Sequence, residues 1–287
     1  MKKYFAAILS AALLFNLSAT LSACNQVEAQ EENNIENSIT DFAIEAQQDM
    51  ENATEITLNC VFGDMKGTYA GETKDGLPHG KGKFVSQNKD QRGWYYQGDF
   101  VEGHFEGTGK TVFQNGQVQQ GSYVRDIWHP STIQFFEFMQ TLPGSNFTIN
   151  QKAKEIFTSE KDYFPVESPE QLPINENITY EEICNDAEKY GNQFISLSDL
   201  SISKHTTFDI TENPENLPEL RGAYIEASHK DKKENYLLYY RGNIDNLKED
   251  SVIQLAVGIP LDTIKEGDNT YVALAVSYLS LQPNVTE

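Results

Sequence analysis

Basic side chains are scarce in this sequence of 287 residues, which holds 22 Lys and Arg against 43 Asp and Glu. The formal net charge of −21 excludes a protein that grips a nucleic-acid duplex through its phosphates, because such binding needs a basic surface. Cysteine is scarcer still, and three residues are too few for a disulfide framework. An apolar share of 39% suffices for globular cores, so wholly disordered and collagen-like chains are also excluded.

Hydrophobic runs are short, and the longest, residues 4–15, follows Lys2 and Lys3 at the start of the chain. A membrane-spanning helix needs about 20 apolar residues, so this run is too short to cross a bilayer. The charged start, the apolar middle and the small residues that follow indicate a secretory signal peptide over residues 1–23. An uncleaved anchor is the alternative.

The residues Leu21-Ser22-Ala23-Cys24 resemble the lipobox of bacterial lipoproteins. The resemblance implies cleavage before Cys24, a diacylglycerol group on its sulfur and a fatty acyl chain such as palmitate on the new amino terminus. Several acyl chains hold a protein stably, since each buried CH2 contributes about 0.8 kcal/mol. We therefore expect the mature chain on the outer face of the bacterial cytoplasmic membrane. Ordinary signal cleavage, with Cys24 incidental, is the alternative.

Residues 24–57 contain nine acids and no Lys or Arg. Such a segment buries too little apolar surface to offset its ordering entropy, so we expect a flexible acidic tether, with a weak amphipathic helix around residues 41–50 as a further option. The two remaining thiols, Cys60 and Cys184, could form a disulfide outside the cell. Two cysteines without a framework are more often small buried residues.

Residues 58–128 repeat themselves with a period of 27 residues. The pattern Tyr-x-Gly, followed by three further glycines, occurs twice, and all five positions recur at the same offset. Agreement over five positions indicates a repeat architecture, and a third, incomplete copy opens on one more glycine. The positions are Tyr69, Gly71, Gly76, Gly80, Gly82, Tyr96, Gly98, Gly103, Gly107, Gly109 and, in the third copy, Gly121.

Each copy is predicted to form a β-hairpin, because Asp75-Gly76 and Glu102-Gly103 tolerate the positive φ of a tight turn. The opening motif, Tyr69-Ala70-Gly71-Glu72 in the first copy, and the closing Gly80-Lys81-Gly82 resemble MORN repeats. The resemblance implies one long twisted antiparallel sheet. It also implies contacts with lipid headgroups or with proteins.

Residues 129–164 are predicted to connect this sheet to the rest of the chain through a helix that caps its open end. Phe135, Phe138, Met139 and Leu142 lie on one face of that helix at i, i+3, i+4 and i+7. Residues 165–177 contain three prolines and are predicted to form a semi-extended linker.

Residues 178–287 are predicted to form a second domain of one helix and five strands. A capping box of Thr179 and Glu182 begins the helix and Gly191 ends it. Three strings, Ile178-Thr179-Tyr180-Glu181-Glu182, Tyr190-Gly191 and Glu266-Gly267-Asp268, resemble the divergent OB-fold domain of Gram-positive surface lipoproteins. The glycine-bearing first strand of those domains is missing, since residues 196–199 read Ser-Leu-Ser-Asp. The fold class is therefore mainly β, with a repeat sheet, a connecting helix and a small OB-like barrel.

An OB-like barrel implies a strand face for ligands, and Tyr236, Tyr239 and Tyr240 could stack there on a sugar or a peptide. Leu237 and Leu238 between them favour a core role for at least one tyrosine. Residues 129–287 carry 12 basic and 26 acidic side chains, which argues against nucleic acid as the ligand.

Catalytic motifs are weak in this sequence. Ser201-Ile202-Ser203-Lys204 matches the Ser-x-x-Lys pattern of penicillin-recognising enzymes, but its flanks are strand-like and no partner motif follows. The five histidines, His79, His104, His129, His205 and His229, show no metal-ligand spacing. We therefore expect no cofactor, no metal and no catalysis.

These observations together predict a lipid-anchored binding or scaffolding module without catalytic activity. The repeat segment 59–128 has eight acids and eight bases, so it is the one neutral part that could approach a membrane or an anionic polymer. The expected partner is a protein, an envelope polymer or a lipid headgroup. The alternative function is a cell-wall hydrolase, or its accessory subunit, acting on envelope glycan or peptide.

Overall fold

Strands dominate the structure, a computed structural model that describes residues 41–87, 93–142, 145–209, 221–229, 231–242, 247–248 and 251–282. Residues 41–47 form helix α1. Seven strands then form one antiparallel sheet in chain order, which we call the repeat sheet. They are β1 Thr54–Cys60, β2 Gly63–Lys74, β3 Leu77–Ser86, β4 Trp94–Val101, β5 His104–Phe113, β6 Val118–Val124 and β7 Ile127–His129.

Tight turns of the predicted kind join the two strands of each repeat hairpin, β2 to β3 and β4 to β5. Asp75 and Gly76 have φ of 53° and 82°, and Glu102 and Gly103 have φ of 52° and 87°. The strand register places one glycine from each of β2 to β6 directly opposite the next, so a row of glycines crosses five strands. The row is Gly71, Gly82, Gly98, Gly109 and Gly121.

Short helices follow the repeat sheet: α2 Thr132–Gln140, α3 Gln151–Phe157, α4 Tyr180–Asn185 and α5 Ala187–Tyr190. Of the predicted apolar face, α2 buries Phe135, Phe138 and Met139, whereas Leu142 lies beyond the end of the helix and is partly buried. The Phe138 ring lies 5.4 Å from that of Trp128 at the end of the repeat sheet. Its other neighbour is the C-terminal part of the chain, where the Arg241 guanidinium lies 5.3 Å from the centre of the Phe135 ring. The helix thus packs between two β structures.

The C-terminal part is a closed barrel of five strands, β8 Ile195–Asp209, β9 Arg221–His229, β10 Asn235–Arg241, β11 Val252–Glu266 and β12 Asn269–Leu281. The order around the barrel is β10-β12-β11-β8-β9, which closes on itself. Strands β10 and β12 are parallel and the other neighbours are antiparallel. The mainly-β fold class and its two β structures are confirmed.

A single hydrophobic cluster joins the repeat sheet to the barrel. Its buried members include Phe84 of the sheet, Phe136 of α2, Phe157 of α3, Phe164 of the segment after α3, and Tyr239 of the barrel. A second cluster fills the barrel interior. The two β structures therefore share one hydrophobic core.

One segment expected to be a flexible tether, with a helix around residues 41–50 as an option, and one expected to be a semi-extended linker are packed in the structure. Within the acidic segment 24–57, the described residues form α1 and most of β1. In the proline-rich segment 165–177, the amide of Val166 donates to the carbonyl of Ser277 at 2.9 Å, Leu172 is buried, and Pro169–Gln171 form a 3-10 helix. A few apolar side chains, among them Ala46 in the first segment and Leu172 in the second, pack these segments against the rest of the fold.

Candidate binding surface

The two faces of the repeat sheet differ in chemistry. The inner face, which points into the shared core, carries the repeat tyrosines. The phenol of Tyr69 donates to the carbonyl of Glu72 at 2.6 Å, and that of Tyr96 donates to the carbonyl of Asp99 at 2.9 Å. Burial, aided by the charge of Glu72, raises the pKa of Tyr69 to about 12. The hydrogen bond from each phenol fixes its ring over the glycine row.

The glycine row exists because the tyrosine rings fill the space of the missing side chains. A Cβ on Gly109 would lie 2.4 Å from Cε2 of Tyr96, and a Cβ on Gly82 would lie 2.5 Å from Cε2 of Tyr69. Ordinary contacts of this kind begin near 3.4 Å. The repeated Tyr-x-Gly motif is therefore structural, and no ligand can reach it from the inner face.

One carboxylate joins the first hairpin to the last. The side chain of Asp126 is fully buried and accepts the amides of Val61 at 3.0 Å and Phe105 at 2.8 Å, while Nδ1 of His104 lies 2.7 Å from its Oδ2. The tip of the β1–β2 hairpin is thus folded across to the β6–β7 turn. A buried carboxylate needs such partners to offset its desolvation.

The outer face of the repeat sheet carries two parallel rows of side chains. One row, the apolar strip, is formed by Val85, Tyr95, Val112 and Val118, which the register places directly opposite one another. The next row begins with Ala70 and is otherwise polar, with Lys83, Gln97, Lys110 and Gln120. An apolar strip on a face that points away from the core needs a cover, because exposed contiguous apolar surface is uncommon.

Helix α1 covers the apolar strip. Ala46 is buried against Tyr95 and Val112, and the ring of Phe42 lies 5.8 Å from that of Tyr95. The phenol of Tyr95 donates to Oε2 of Glu45 at 2.6 Å. The helix therefore contributes one aromatic, one small and one acidic side chain to the contact.

Lys83 binds the end of α1. Its Nζ donates to the carbonyl oxygens of Glu45 and, at 3.0 Å, of Gln48, and it lies 4.4 Å from the centre of the Tyr95 ring. A cation is favourable at the C-terminal end of a helix, where carbonyl groups lack partners. Lys83 is only 4% exposed, and burial lowers its pKa although Asp49 and Glu45 act in the opposite direction.

An open groove of about 600 Å3 continues from the end of α1 across the glycine row. Backbone of Gly82, Gly98 and Gly109 lines it, and Gln97 and Lys110 provide polar side chains. Lys81, also in the lining, is paired with Asp99 at 2.6 Å. The groove offers hydrogen-bond donors and acceptors, and charged groups of both signs, on a broad open surface.

A second cavity, of about 500 Å3, lies between α3 and the start of α5. Two of its carboxylates have structural partners. Asp262 accepts the amide and the hydroxyl of Thr148, both at 2.7 Å, and Asp186 accepts the amide of Lys189 at 3.0 Å as the cap of α5. These hydrogen bonds give both carboxylates a structural role.

The candidate ligand tyrosines of the barrel lie in the core. Tyr236, Tyr239 and Tyr240 are 2%, 0% and 9% exposed. Side chains alternate along a strand, so Tyr236 and Tyr240 belong to the interior cluster while Tyr239 points outward. There the ring of Phe147, 4.1 Å away, covers it. The expectation of a stacking face is therefore corrected, because packing leaves none of the three rings accessible.

Other residues singled out in the sequence are dispersed. Ser201 and Lys204 lie within strand β8, away from any helix start. Cys60 and Cys184 are both free thiols. Among the described residues, no group of three His, Cys, Asp or Glu side chains could hold a metal ion. No helix in the described ranges is long and apolar enough to span a bilayer, and Cys24 lies outside those ranges.

Comparison with known protein families identifies the MORN repeat at residues 69–91 and 96–118. The chain contains two MORN repeats. The third, partial copy predicted from Gly121 continues the same sheet as the β6–β7 hairpin, beyond the second matched repeat. A search of curated proteins finds no significant match to the chain.

Sequence reasoning missed Lys83, Tyr95 and Asp126. A signal was present for Tyr95: Val85, Tyr95, Val112 and Val118 are apolar at outward positions, which predicts a cover for the outer face. Lys83 lies in the neighbouring row and had no such signal. Asp126 follows the positive φ residue Arg125 in a turn and carried no distinguishing pattern.

Proposed function

We propose that this chain is a non-catalytic binding or scaffolding module, held at the outer face of the cytoplasmic membrane by lipid on Cys24. The lipobox-like Leu21-Ser22-Ala23-Cys24 supports the anchor. The two MORN repeats are compatible with a binding role, since such repeats generally serve as binding or scaffolding modules.

The observation that carries the binding role is the open polar groove on the outer face of the repeat sheet. It is broad and shallow, its floor is glycine backbone, and its polar side chains are spread along it. Such a surface suits an extended ligand. The charged groups are mixed, with Lys110 and the Lys81–Asp99 pair on one stretch.

We infer that the barrel is OB-like and has a structural role. If β8 to β12 are numbered 1 to 5, the order of neighbouring strands around the barrel is 1-2-3-5-4, and strand 4 pairs with strand 1 to close it. Strands 3 and 5 are parallel. This is the strand order of an OB barrel. The outer side of strand 3, β10, carries Tyr239 under Phe147. The connector that includes Phe147 therefore occupies the face that corresponds to the ligand-binding face of OB folds.

The anchor is tested by mass spectrometry of the native amino terminus and by the Cys24→Ala substitution. We expect acyl mass on Cys24 and recovery of the wild-type protein with membranes, whereas the Cys24→Ala protein is lost from that fraction. Cys184→Ala, which removes a thiol far along the chain, is the control and should stay with membranes. A native amino terminus without fatty acyl mass would contradict the anchor.

The binding role is tested by co-sedimentation of residues 25–287 with three probes: purified cell wall, vesicles of anionic phospholipid, and envelope protein extract on beads. We expect retention by one of them and its loss on Lys110→Glu, with Lys265→Glu on the exposed part of β11 as the charge-matched control. Equal retention of both variants would refute a role of the groove. Release of soluble fragments from the cell wall would refute the absence of catalysis.

A further inference from the structure

We propose that the groove on the outer face of the repeat sheet binds a β-1,4-linked glycan strand, which lies across the strands of the sheet. This deepens the proposed function, on which it rests, by assigning a ligand class to the groove. The direction, the cross-section and the repeat distance of the groove all favour such a ligand.

The groove runs across the strands and not along them. Its lining comes from five consecutive strands, from Gly71 of β2 to Gln120 of β6. The register places these residues in neighbouring rows, so the glycine row forms the floor and the rows on either side form the walls. Neighbouring strands are about 4.8 Å apart, so five strands give a length of roughly 19 Å. The groove is therefore long enough for a segment of a polymer.

The groove is too narrow for a helix. Its walls are two residues apart on each strand, as Thr108 and Lys110 are on either side of Gly109, and such positions are about 7 Å apart. A volume of about 600 Å3 over roughly 19 Å of length leaves a cross-section of roughly 30 Å2. An α-helix with its side chains is about 10–12 Å wide and needs roughly 80 Å2 or more. The groove therefore fits a single extended chain.

Side-chain chemistry in the groove recurs at every second strand. In the polar row of the outer face, the order over β3 to β6 is Lys83, Gln97, Lys110 and Gln120, so lysine and glutamine alternate. Two strand spacings are about 10 Å, which is also the length of one disaccharide in a β-1,4-linked glycan. Successive sugars of such a chain are turned by half a rotation, so the groups on each side also recur once per disaccharide. An extended peptide recurs about every 7 Å instead, so its side chains would fall out of register with the row.

The polar groups of the groove favour a neutral ligand rich in hydroxyl groups over a polyanion. Lys83 is bound to carbonyl oxygens at the end of α1, and Lys81 is paired with Asp99 at 2.6 Å. A strand of linked phosphates depends on cations that neutralise its charges, and these two lysines already have partners. The exposed glutamine amides of the polar row both donate and accept hydrogen bonds, which suits the hydroxyl and acetamido groups of sugars.

The test measures the binding of defined oligosaccharides to residues 25–287 by isothermal titration calorimetry. The probe is the β-1,4-linked tetrasaccharide of N-acetylglucosamine, and the corresponding disaccharide is the length control. We expect the tetrasaccharide to bind at least about tenfold more tightly, because it contacts both lysine–glutamine pairs of the polar row. Maltotetraose, whose α-1,4 linkages curve the chain away from this repeat, is the linkage control and should not bind.

Matched variants test whether the glycan lies in the groove. Gln97→Ala and Gln120→Ala remove amides that lie two strands apart, and each should weaken tetrasaccharide binding about fivefold, as the loss of one hydrogen bond does. Gln254→Ala, at an exposed position of β11 in the barrel, is the control and should bind as the wild type does. Circular dichroism and thermal melting establish that the variants are folded.

Failure of the folded wild-type chain to bind the tetrasaccharide would overturn the proposal, as would equally tight binding of the disaccharide or of maltotetraose. Tetrasaccharide binding that both glutamine variants leave unchanged would place the glycan elsewhere and would also overturn it. Retention of the chain by vesicles or by envelope protein, lost on Lys110→Glu and without tetrasaccharide binding, would refute the glycan and leave the binding role of the groove intact. Failure of this proposal is therefore distinguishable from failure of the proposed function.

Discussion

Replacing Gly109 with alanine should destabilise the protein strongly, although it adds only one methyl group. That methyl would lie 2.3 to 2.5 Å from three atoms of the Tyr96 side chain, which is fully buried. Overpacking of a core usually costs about 1–3 kcal/mol. If the ring were expelled altogether, loss of about 150–250 Å2 of buried area would cost roughly 4–6 kcal/mol. We expect a loss of about 3 kcal/mol in the free energy of unfolding.

Urea denaturation followed by circular dichroism measures this loss. Gly93→Ala is the matched control, because there a Cβ meets first the flexible end of Gln114, at 3.2 Å. A double-mutant cycle with Tyr96→Ala adds a sharper readout, because removing the ring should relieve the clash. The loss of stability in the double variant should be smaller than the sum of the two single losses by at least about 1 kcal/mol. Losses for Gly109→Ala and Gly93→Ala that agree within about 0.5 kcal/mol would refute the reasoning.

Three further predictions concern other parts of the core. Because the pKa of Tyr69 is raised to about 12, its neutral phenol stabilises the fold fully below pH 10, and this contribution is lost as the pH rises through about 12. Tyr69→Phe should therefore reduce the fall in the free energy of unfolding between pH 10 and 12. An unchanged pH dependence, measured by urea titrations, would count against this prediction. Asn150→Ala should lower the free energy of unfolding by about 2–3 kcal/mol, since the Asn150 side chain accepts one amide at the start of α3 and donates to two carbonyls of β11. A loss no larger than that of Asn175→Ala would argue against a joining role of these three hydrogen bonds. Phe135→Ser and Phe138→Ser should each lower the melting temperature markedly, with about 3–5 kcal/mol lost per ring, and unchanged melting would show that α2 does not stabilise the sheets.

The repeat sheet could be predicted from sequence because its determinants are local and recur. Tyr96 covers Gly109 on the adjacent strand, so the same pair of residue types appears in each copy. The turn signals also act over two residues and gave the correct hairpins. A repeat of this kind needs no long-range information.

The position of the helix on the outer face and the burial of the barrel tyrosines depend on long-range contacts. Lys83 binds carbonyls 35 and 38 residues earlier in the chain. Tyr239 is covered by Phe147, and strand alternation alone could say that it faces away from Tyr240 but not what lies against it. The packing of segments 41–57 and 165–177 was missed for the same reason, since acidic or proline-rich composition does not show where a few apolar residues will find a partner.

The buried Asp126 also limits the size of the repeat array. Each added hairpin would insert two strands, and neighbouring strands are about 4.8 Å apart. One more repeat between β2 and β6 would therefore carry the carboxylate about 10 Å away from the amide of Val61, beyond any hydrogen bond. The hydrogen bond between Asp126 and Val61 can therefore form only on an array of this length, and a duplicated repeat would leave the tip of the β1–β2 hairpin without its buried partner.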